Sequence, residues 1–200
     1  MGQDKALALF LGKPLIQHIV ERLAPLADEI WLTTNHPDAY EFLKLPAVRD
    51  IFPGRGALGG LYTALSLAQY PLVAVIACDM PFVNASLLRA EVELLHTSGD
   101  DLVIPMLGKS PSGEERLEPF HAVYRRETCL PPLECALESG QWRVDSWFHN
   151  VRARRFGLDE ILKHDPELLS FYNVNTPEEL ARAEQIARRL AQQGPLSGKP

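Results

Sequence analysis

Leu72-Val-Ala-Val-Ile-Ala-Cys-Asp-Met-Pro81 is an apolar run that ends in a single carboxylate. Val73 to Ala77 shows no polar alternation, which is typical of a strand covered on both faces. We predict the middle strand of a sheet here, with Asp79 just past its carboxyl end. Open α/β sheets bind ligands beyond the carboxyl ends of their strands, so Asp79 is a candidate metal ligand. A simple turn residue is the alternative, although Asn84 is better placed to cap the helix that follows.

Strand and helix patterns alternate around this run. Strands are predicted at 29–34 and 48–52, and helices at 38–45, from about Leu61, and at 86–97. Upstream, Pro14 suits the start of a helix whose apolar face begins with Leu15 and Ile16. This alternation predicts an α/β, three-layer sandwich with a mainly parallel central sheet. We expect one domain over residues 1–193 and a disordered tail over 194–200.

The second half of the chain has a less regular pattern. Apolar segments at 101–106 and 119–124 are expected to pair antiparallel across a mobile loop at 108–116. Residues 142–148 have the spacing of a short amphipathic helix, and 169–174 are predicted to form a late strand. Thr176-Pro-Glu-Glu179 supplies an N-cap, a first-turn proline and a capping-box glutamate, so the last helix starts there and ends near 189 or 193.

Composition excludes several classes of protein. The net charge of -6 disfavours a nucleic-acid partner, because phosphate contacts need clustered lysines and arginines. The three cysteines form no Cys-x-x-Cys pair, which argues against a disulfide framework or a structural zinc site. The longest apolar run, Leu72 to Cys78, is far shorter than the roughly 20 residues that span a bilayer. We therefore expect a cytoplasmic protein without membrane attachment.

A glycine-rich loop precedes the predicted helix at Leu61. Pro53-Gly-Arg-Gly-Ala-Leu-Gly-Gly60 sits between a strand and a helix, where Gly56 and Gly60 allow close approach of a ligand to the backbone. Its spacing matches neither a Rossmann nor a Walker loop, so a tight turn is the alternative. Asp50, just upstream, is a candidate for a ribose hydrogen bond or for a turn cap.

Two further groups of polar residues are candidates for a binding site. Asn173 and Asn175 have period-two spacing, which places both on one face of the predicted late strand, although turn chemistry at a strand end is the alternative. Near the start of the chain, Lys5 follows Asp4 just ahead of an apolar run. Either Lys5 serves a ligand or the two residues are a solvated pair at a frayed terminus.

Taken together, these segments resemble the molybdenum cofactor guanylyltransferases, the MobA family of GT-A-like nucleotidyltransferases with a Rossmann-like fold. The similarity extends over nearly the whole chain in family order. It is carried by Met1-Gly-x-Asp-Lys5, Gly12-Lys-Pro-Leu15, Gly56-Ala-Leu-Gly-Gly60, Cys78-Asp-Met-Pro81, Glu118-Pro-Phe-His-Ala-Val-Tyr124, Arg143-Val with Phe148, and Phe171-x-Asn-Val-Asn-Thr-Pro-Glu-Glu179.

The resemblance implies transfer of GMP from GTP to molybdopterin with Mg²⁺ as cofactor. It implies that Lys5 contacts the nucleotide phosphates, Asp50 the nucleoside, and the Gly56 to Gly60 loop the guanine. Asp79 is expected to bind Mg²⁺ and phosphate, and Asn173 and Asn175 to form the acceptor side. A monomer or weak homo-oligomer is expected, with transient contacts to other cofactor-assembly proteins or to molybdoenzymes.

The beginning of the sequence departs from the family pattern. Members of the family begin with a strand and a Leu-Ala-Gly-Gly-x-Ser-x-Arg-like loop immediately before the Met-Gly pair, whereas this sequence begins at Met1-Gly. Either Met1 is an internal methionine or the chain is shortened. With the first strand and phosphate loop missing, we expect exposed apolar surface and unpaired strand edges. We expect this form to bind GTP weakly and to be inactive or poorly stable.

Two rival functions remain at this point. A related nucleotidyltransferase would use CTP for a similar phosphorylated acceptor. A non-catalytic binding module would keep the fold and bind other proteins of cofactor assembly.

Overall fold

The computed structural model describes residues 4–193, so the expected tail at 194–200 and the first three residues of the opening motif lie outside the described residues. The strands are β1 (Leu9–Phe10), β2 (Lys13–Pro14), β3 (Leu32–Thr33), β4 (Ala47–Val48), β5 (Leu72–Ile76), β6 (Leu102–Lys109), β7 (Glu115–Leu117), β8 (His121–Arg125) and β9 (Ala153–Gly157). The α-helices are α1 (Leu15–Leu23), α2 (Gly56–Leu67), α3 (Ala85–Thr97), α4 (Arg126–Glu138), α5 (Leu158–Ile161) and α6 (Pro177–Gln193). Short 3-10 helices cover Lys5–Leu7, Pro37–Leu43, Phe148–Asn150 and Leu169–Phe171.

The main sheet is five-stranded and mixed. Its order is β5-β8-β6, and β6 also pairs with β7 and β9. Only the β6–β9 pairing is parallel within this sheet, while β3 and β4 form a separate parallel pair and β1 and β2 an antiparallel hairpin. The predicted α/β class is confirmed, and the expected parallel character is limited to these two pairs.

Two helical layers cover the main sheet. Leu102 and Ile104 of β6 pack with α2 and α4 on one face, and Val103 packs with α3 and α5 on the other. These three side chains are fully buried, as the alternation of side chains along a strand requires in a three-layer sandwich. The largest core cluster therefore lies between β6, β8 and the pair of helices α2 and α4.

β5 does not lie in the middle of the sheet. It pairs with β8 on one side only, and its residues are half-buried except for Ala74, which is exposed. The prediction of a central, fully covered strand at Val73 to Ala77 was wrong. An apolar pattern indicates that both faces of a strand need to be covered, but it does not indicate how many strands pair with it. The central strands among the described residues are β6 and β8.

Four helix predictions are confirmed, those for α1, α2, α3 and α6, and the helix predicted at 38–45 is the 3-10 helix Pro37–Leu43. Two of the four, α3 and α6, have the capping contacts expected from the sequence. Asn84 caps α3 by accepting hydrogen bonds from the N–H groups of Ser86 and Leu87 at 2.9 and 3.1 Å. Thr176 and Glu179 form the capping box of α6, with Glu179 N donating to Thr176 Oγ1 at 3.1 Å. α2 was also predicted but begins at Gly56, ahead of the expected start at Leu61.

The second half of the chain confirms one strand pairing and corrects two elements. Leu102 and Val103 pair antiparallel with Tyr124 and Val123 as predicted, while the segment expected to be a mobile loop forms the β6–β7 hairpin. Residues 144–147 form turns, and Arg143 donates to the Asp145 carboxylate from Nε and Nη2 of its guanidinium group. No strand forms at 169–174.

The 3-10 turn at Leu169–Phe171 has a local cause. The Asp165 carboxylate accepts hydrogen bonds from the N–H groups of Leu169 and Ser170 at 3.1 and 2.7 Å. Leu168 also adopts a left-handed conformation, with φ 55°. A carboxylate that binds successive amides holds the backbone in a turn, so these donors are not available to a sheet. None of the helices within residues 4–193 is both long and apolar enough to cross a membrane.

Candidate functional site

The ends of β3, β4 and β5 converge on one edge of the molecule. Thr33 ends β3, Asp50 follows β4, and the side chains of both lie within 3.9 Å of the position that a Cβ on Gly60 of α2 would take. Cys78 follows β5 and lies close to Tyr40. Loops that follow strands are the usual place for ligands in α/β proteins, so this edge is the candidate site.

Asp79 lies in the turn directly after β5. Its backbone carbonyl accepts a hydrogen bond from Val174 N at 2.9 Å, which joins this turn to the segment before α6. Burial raises the pKa of the Asp79 carboxyl, and the positive charge of Lys5 opposes that rise. The ionised form of a half-buried carboxylate beside a lysine is stabilised further when a cation binds both the carboxylate and a ligand.

Lys5 contacts a residue just before the last helix. Its Nζ donates a hydrogen bond to Oδ1 of Asn175 at 2.9 Å. Lys5 lies on a 3-10 helix that Asp4 caps by accepting from Ala6 N at 3.2 Å, and the Tyr40 hydroxyl donates to the same carboxylate. Asp4 and Lys5 therefore have separate partners and do not form the frayed, solvated pair that the sequence left open.

The structure brings Asn175, but not Asn173, to Lys5. Asn175 is exposed and held at its backbone N–H by Glu179 Oε2 at 2.7 Å, while Asn173 is half-buried. The expectation that both amides share a strand face was wrong, because residues 172–176 are irregular and no period-two alternation applies there.

The glycine-rich loop forms the start of α2. Gly56 has φ +54°, a backbone conformation that favours glycine, although a Cβ there would meet no atom within 4 Å. Gly59 is constrained by packing and not by its backbone conformation, since a Cβ there would lie 2.9 Å from the Phe52 carbonyl oxygen. Backbone N–H groups in the first turn of a helix have no partner inside that helix. Asp50 lies beside this turn of α2, and burial raises the pKa of its carboxyl. Gly59, which the sequence did not single out, is the glycine with the strictest packing requirement.

Two more carboxylates lie close to Asp79. The charge of Glu179 raises the pKa of Asp79, and Asp79 adds to the burial that raises the pKa of Glu118. The sequence identified Glu179 only as a helix cap and Glu118 only within a motif. Glu118 and Glu179 are far from Asp79 in the sequence, so no local pattern predicted that the three carboxylates lie close together.

The side chains at this edge can hold a divalent cation only when a ligand supplies part of its coordination. Within residues 4–193, no three His, Cys, Asp or Glu side chains are arranged to hold a metal ion by themselves. Mg²⁺ is commonly bound by one or two carboxylates together with substrate phosphates and water. Asp79 can supply such a carboxylate, and Lys5 can neutralise a phosphate beside it.

Comparisons with known proteins agree on one family. The family described as "MobA-like NTP transferase domain" matches residues 1–153. A probable molybdenum cofactor guanylyltransferase of Peptoclostridium acidaminophilum is 32% identical over 191 residues, which cover 94% of this chain and 84% of that protein. A similarly described protein of Carboxydothermus hydrogenoformans is 31% identical over 186 residues, covering 93% and 89% of the two chains.

Solved structures share the fold. The crystal structure of molybdopterin-guanine dinucleotide biosynthesis protein A from Archaeoglobus fulgidus matches with a TM-score of 0.79 and 27% identity, covering 94% of this chain and 93% of that one. The 2-C-methyl-D-erythritol 4-phosphate cytidylyltransferase of Thermus thermophilus matches with a TM-score of 0.69 at 18% identity, over 92% and 94% of the chains. The second match supports a common nucleotidyltransferase fold and nothing more specific.

Proposed function

This chain belongs to the MobA-like NTP transferase family, and from that premise we propose that it transfers GMP from GTP to molybdopterin. The reaction releases pyrophosphate and forms the guanine dinucleotide cofactor. The observation that carries the proposal is the convergence of Lys5, Asp79 and Asn175 at the ends of the strands, since residues so far apart in sequence meet where an α/β sheet binds its ligand.

Each of the residues at this edge has a part in the proposed reaction. Lys5 Nζ neutralises the triphosphate, Asp50 contacts the nucleoside, and the backbone from Gly56 to Gly60 lies against the guanine. Asn173 and Asn175 form the acceptor side. A lysine ammonium and the N–H groups at the start of a helix are donors that suit phosphates and base edges.

The chemistry requires positioning more than a protein nucleophile. An oxygen of the molybdopterin phosphate attacks the α-phosphorus of GTP and forms the new P–O bond. The bond from that phosphorus to the α,β-bridging oxygen breaks, and pyrophosphate leaves with the electron pair. Asp79 would hold Mg²⁺, which supplies charge neutralisation on the phosphates when it is bound. Lys5 would hold the leaving phosphates in line.

The wider cellular setting stays a prediction from the sequence. We propose a cytoplasmic enzyme with one domain over residues 1–193, acting as a monomer or weak homo-oligomer. Transient contacts with other cofactor-assembly proteins or molybdoenzymes are part of the same proposal, because the product must pass to a molybdoenzyme.

Calorimetric titration with GTP and with CTP, each with and without Mg²⁺, tests the function. We expect Mg²⁺-dependent binding that prefers GTP, and a loss of at least about tenfold in affinity in Asp79→Asn, corresponding to one charge-assisted contact of about 1.4 kcal/mol. Asp159→Asn, an exposed carboxylate on α5, is the matched control and should bind as the wild type does. Preference for CTP would favour the rival transferase. A folded chain that binds neither nucleotide at millimolar concentration would refute the proposal.

A further inference from the structure

Tyr40 packs in the same core cluster as the 3-10 helix that carries Lys5. It belongs to the 3-10 helix Pro37–Leu43, and only 3% of its surface is exposed. The cluster includes Ala6, the residue after Lys5, so close packing holds the Tyr40 ring in place. The hydroxyl at the end of this ring donates a hydrogen bond to the Asp4 carboxylate. A buried ring therefore presents one polar atom to the segment around Lys5.

The Asp4 carboxylate is held at both of its oxygen atoms. Oδ1 accepts from Ala6 N at 3.2 Å, and Oδ2 accepts from the Tyr40 hydroxyl. A carboxylate that accepts a hydrogen bond at each oxygen has a defined orientation, whereas loss of one donor lets it turn about its side-chain bonds. The two hydrogen bonds therefore fix where the negative charge next to Lys5 lies.

The Tyr40 hydroxyl keeps its proton and so remains a donor to Asp4. Burial raises the pKa of the phenol, and the Asp4 carboxylate raises it further. A hydrogen bond to an ionised acceptor is about twice as strong as one between neutral groups. Thr34, the residue after β3, lies beside the same hydroxyl. Tyr40 thus connects the end of β3 with the cap of the 3-10 helix that carries Lys5.

The Lys5 ammonium bonds to Asn175 and not to its sequence neighbour Asp4. Nζ of Lys5 donates to Asn175 Oδ1 at 2.9 Å, while the Asp4 carboxylate accepts from Ala6 and Tyr40. A carboxylate paired with an ammonium group cancels part of its charge and repels an approaching anion. An amide partner is uncharged, so the contact with Asn175 leaves the full charge of Lys5 at the candidate site.

We propose that Tyr40 is a positioning residue for Lys5: its hydroxyl holds the Asp4 carboxylate in the helix cap, which leaves the Lys5 ammonium to the phosphates of the nucleotide. The inference rests on the proposed function, because it takes the triphosphate as the partner of Lys5. Without the hydroxyl, the Asp4 carboxylate loses one of its two donors and turns towards the ammonium group one residue away. Tyr40 acts through Asp4 and does not itself touch the substrate.

The test removes the hydroxyl and keeps the ring. In Tyr40→Phe we expect the affinity for GTP with Mg²⁺, measured by calorimetry, to fall about fivefold, as a competing ion pair at an exposed site predicts. Thermal unfolding should change little, because Asp4 is exposed and water replaces the lost donor. Tyr70→Phe, which removes a hydroxyl from a tyrosine that is 46% exposed, is the matched control and should bind as the wild type does. Adding Asp4→Asn to Tyr40→Phe removes the competing charge, keeps a capping side chain and should restore most of the affinity.

The side-chain amide signal of Asn175 gives a second readout that needs no nucleotide. We expect this NMR signal to shift in Tyr40→Phe, because Lys5 leaves Asn175 for Asp4, and to return towards its wild-type position when Asp4→Asn is added. The proposal is wrong if Tyr40→Phe leaves both the signal and the GTP affinity unchanged. It is also overturned if Asp4→Asn restores neither, because the hydroxyl would then serve packing alone. A folded wild type that binds no GTP would refute the proposed function, and the Asn175 signal would still decide whether Tyr40 directs Lys5.

Discussion

β6 and β5 are apolar strands of the same sheet, yet their surroundings differ sharply. β6 begins with four buried residues and has partners on both sides, whereas no residue of β5 is fully buried and one of its edges is free. The region around β6, β8 and β9 is closed by pairing and by helices on both faces. The region around β3, β4 and β5 is open along a mostly apolar cavity of about 950 Å³.

The difference separates stability from function in this molecule. The buried side chains of the closed region form the two large clusters, and of the candidate site residues only Glu118 and the glycines at the start of α2 lie beside it. Lys5, Asp50 and Asp79 lie at the ends of strands in the open region. Segments with little buried apolar area open most easily, so ligands should affect the open region most.

The largest effect should come from removing a side chain from each region in turn. Ile104→Ala should lower the free energy of unfolding by about 3 kcal/mol, because it leaves a cavity in a fully packed core. Ile76→Ala should cost only about 1 kcal/mol, since this side chain is half-buried. Urea denaturation measures both values. Equal losses would show that β5 is as well packed as β6.

α2 carries two neighbouring glycines whose replacement by alanine should change stability in opposite directions. Gly59→Ala should destabilise the protein by about 2 kcal/mol, because its Cβ would lie 2.9 Å from the Phe52 carbonyl oxygen. Gly60→Ala should instead stabilise it by about 0.5 kcal/mol, because the nearest atom is 3.8 Å away and alanine favours the helix. Thermal unfolding separates the two signs, and a stabilising Gly59→Ala would contradict the packing described for this turn.

A buried acid in the closed region should make stability depend on pH. Glu91 and His121 are both fully buried, and burial raises the pKa of the Glu91 carboxyl above 4.5. The folded state then holds this proton more tightly than the unfolded chain, so stability is full below about pH 4.5 and declines as pH rises through the raised pKa. Each unit by which the pKa is raised corresponds to about 1.4 kcal/mol.

Glu91→Gln removes that titration and should flatten the decline in unfolding free energy as pH rises above 4.5. Glu93→Gln, which changes an exposed residue of the same helix, should retain the wild-type profile. Denaturation at a series of pH values provides the comparison. An unchanged profile in Glu91→Gln would mean that Glu91 is not the titrating group.

A small effect should also appear at the contact between the open region and the last helix. Glu179→Ala removes the carboxylate that accepts from the N–H groups of Asn175 and Thr176, and should cost about 1 kcal/mol of unfolding free energy. Glu178→Ala changes an exposed neighbour and should cost little. Thermal unfolding of the two variants is the measurement, and similar values for both would remove the role given to the capping box.

Local signals in the sequence predicted local structure well. The caps at Asn84 and Thr176 depend on a few neighbouring residues, so the sequence indicated both helix starts. The apolar run at Leu72 to Ile76 indicated a strand but not its place in the sheet, because the pattern is the same whether a strand has neighbours on both sides or on one.

The candidate site was only partly predictable for a related reason. Lys5 and Asp79 were singled out by motif and position, but the hydrogen bond from Lys5 to Asn175 joins residues 170 positions apart, and no local pattern encodes it. The pairing of Asn173 with Asn175 failed because Asp165 directs the preceding backbone into a turn. The role of Asp4 was missed because its partner, Tyr40, lies on another element.

One measurement tests most directly the claim that the nucleotide binds in the open region. In NMR spectra of the labelled chain, Mn²⁺ added with GTP broadens the amide signals that lie close to the bound ion. We expect broadening at Lys5, Asp79 and Asn175, sharp signals at Val103 and Val123, and loss of the effect in Asp79→Asn. Broadening centred on the closed region, or broadening that persists unchanged in Asp79→Asn, would contradict the account.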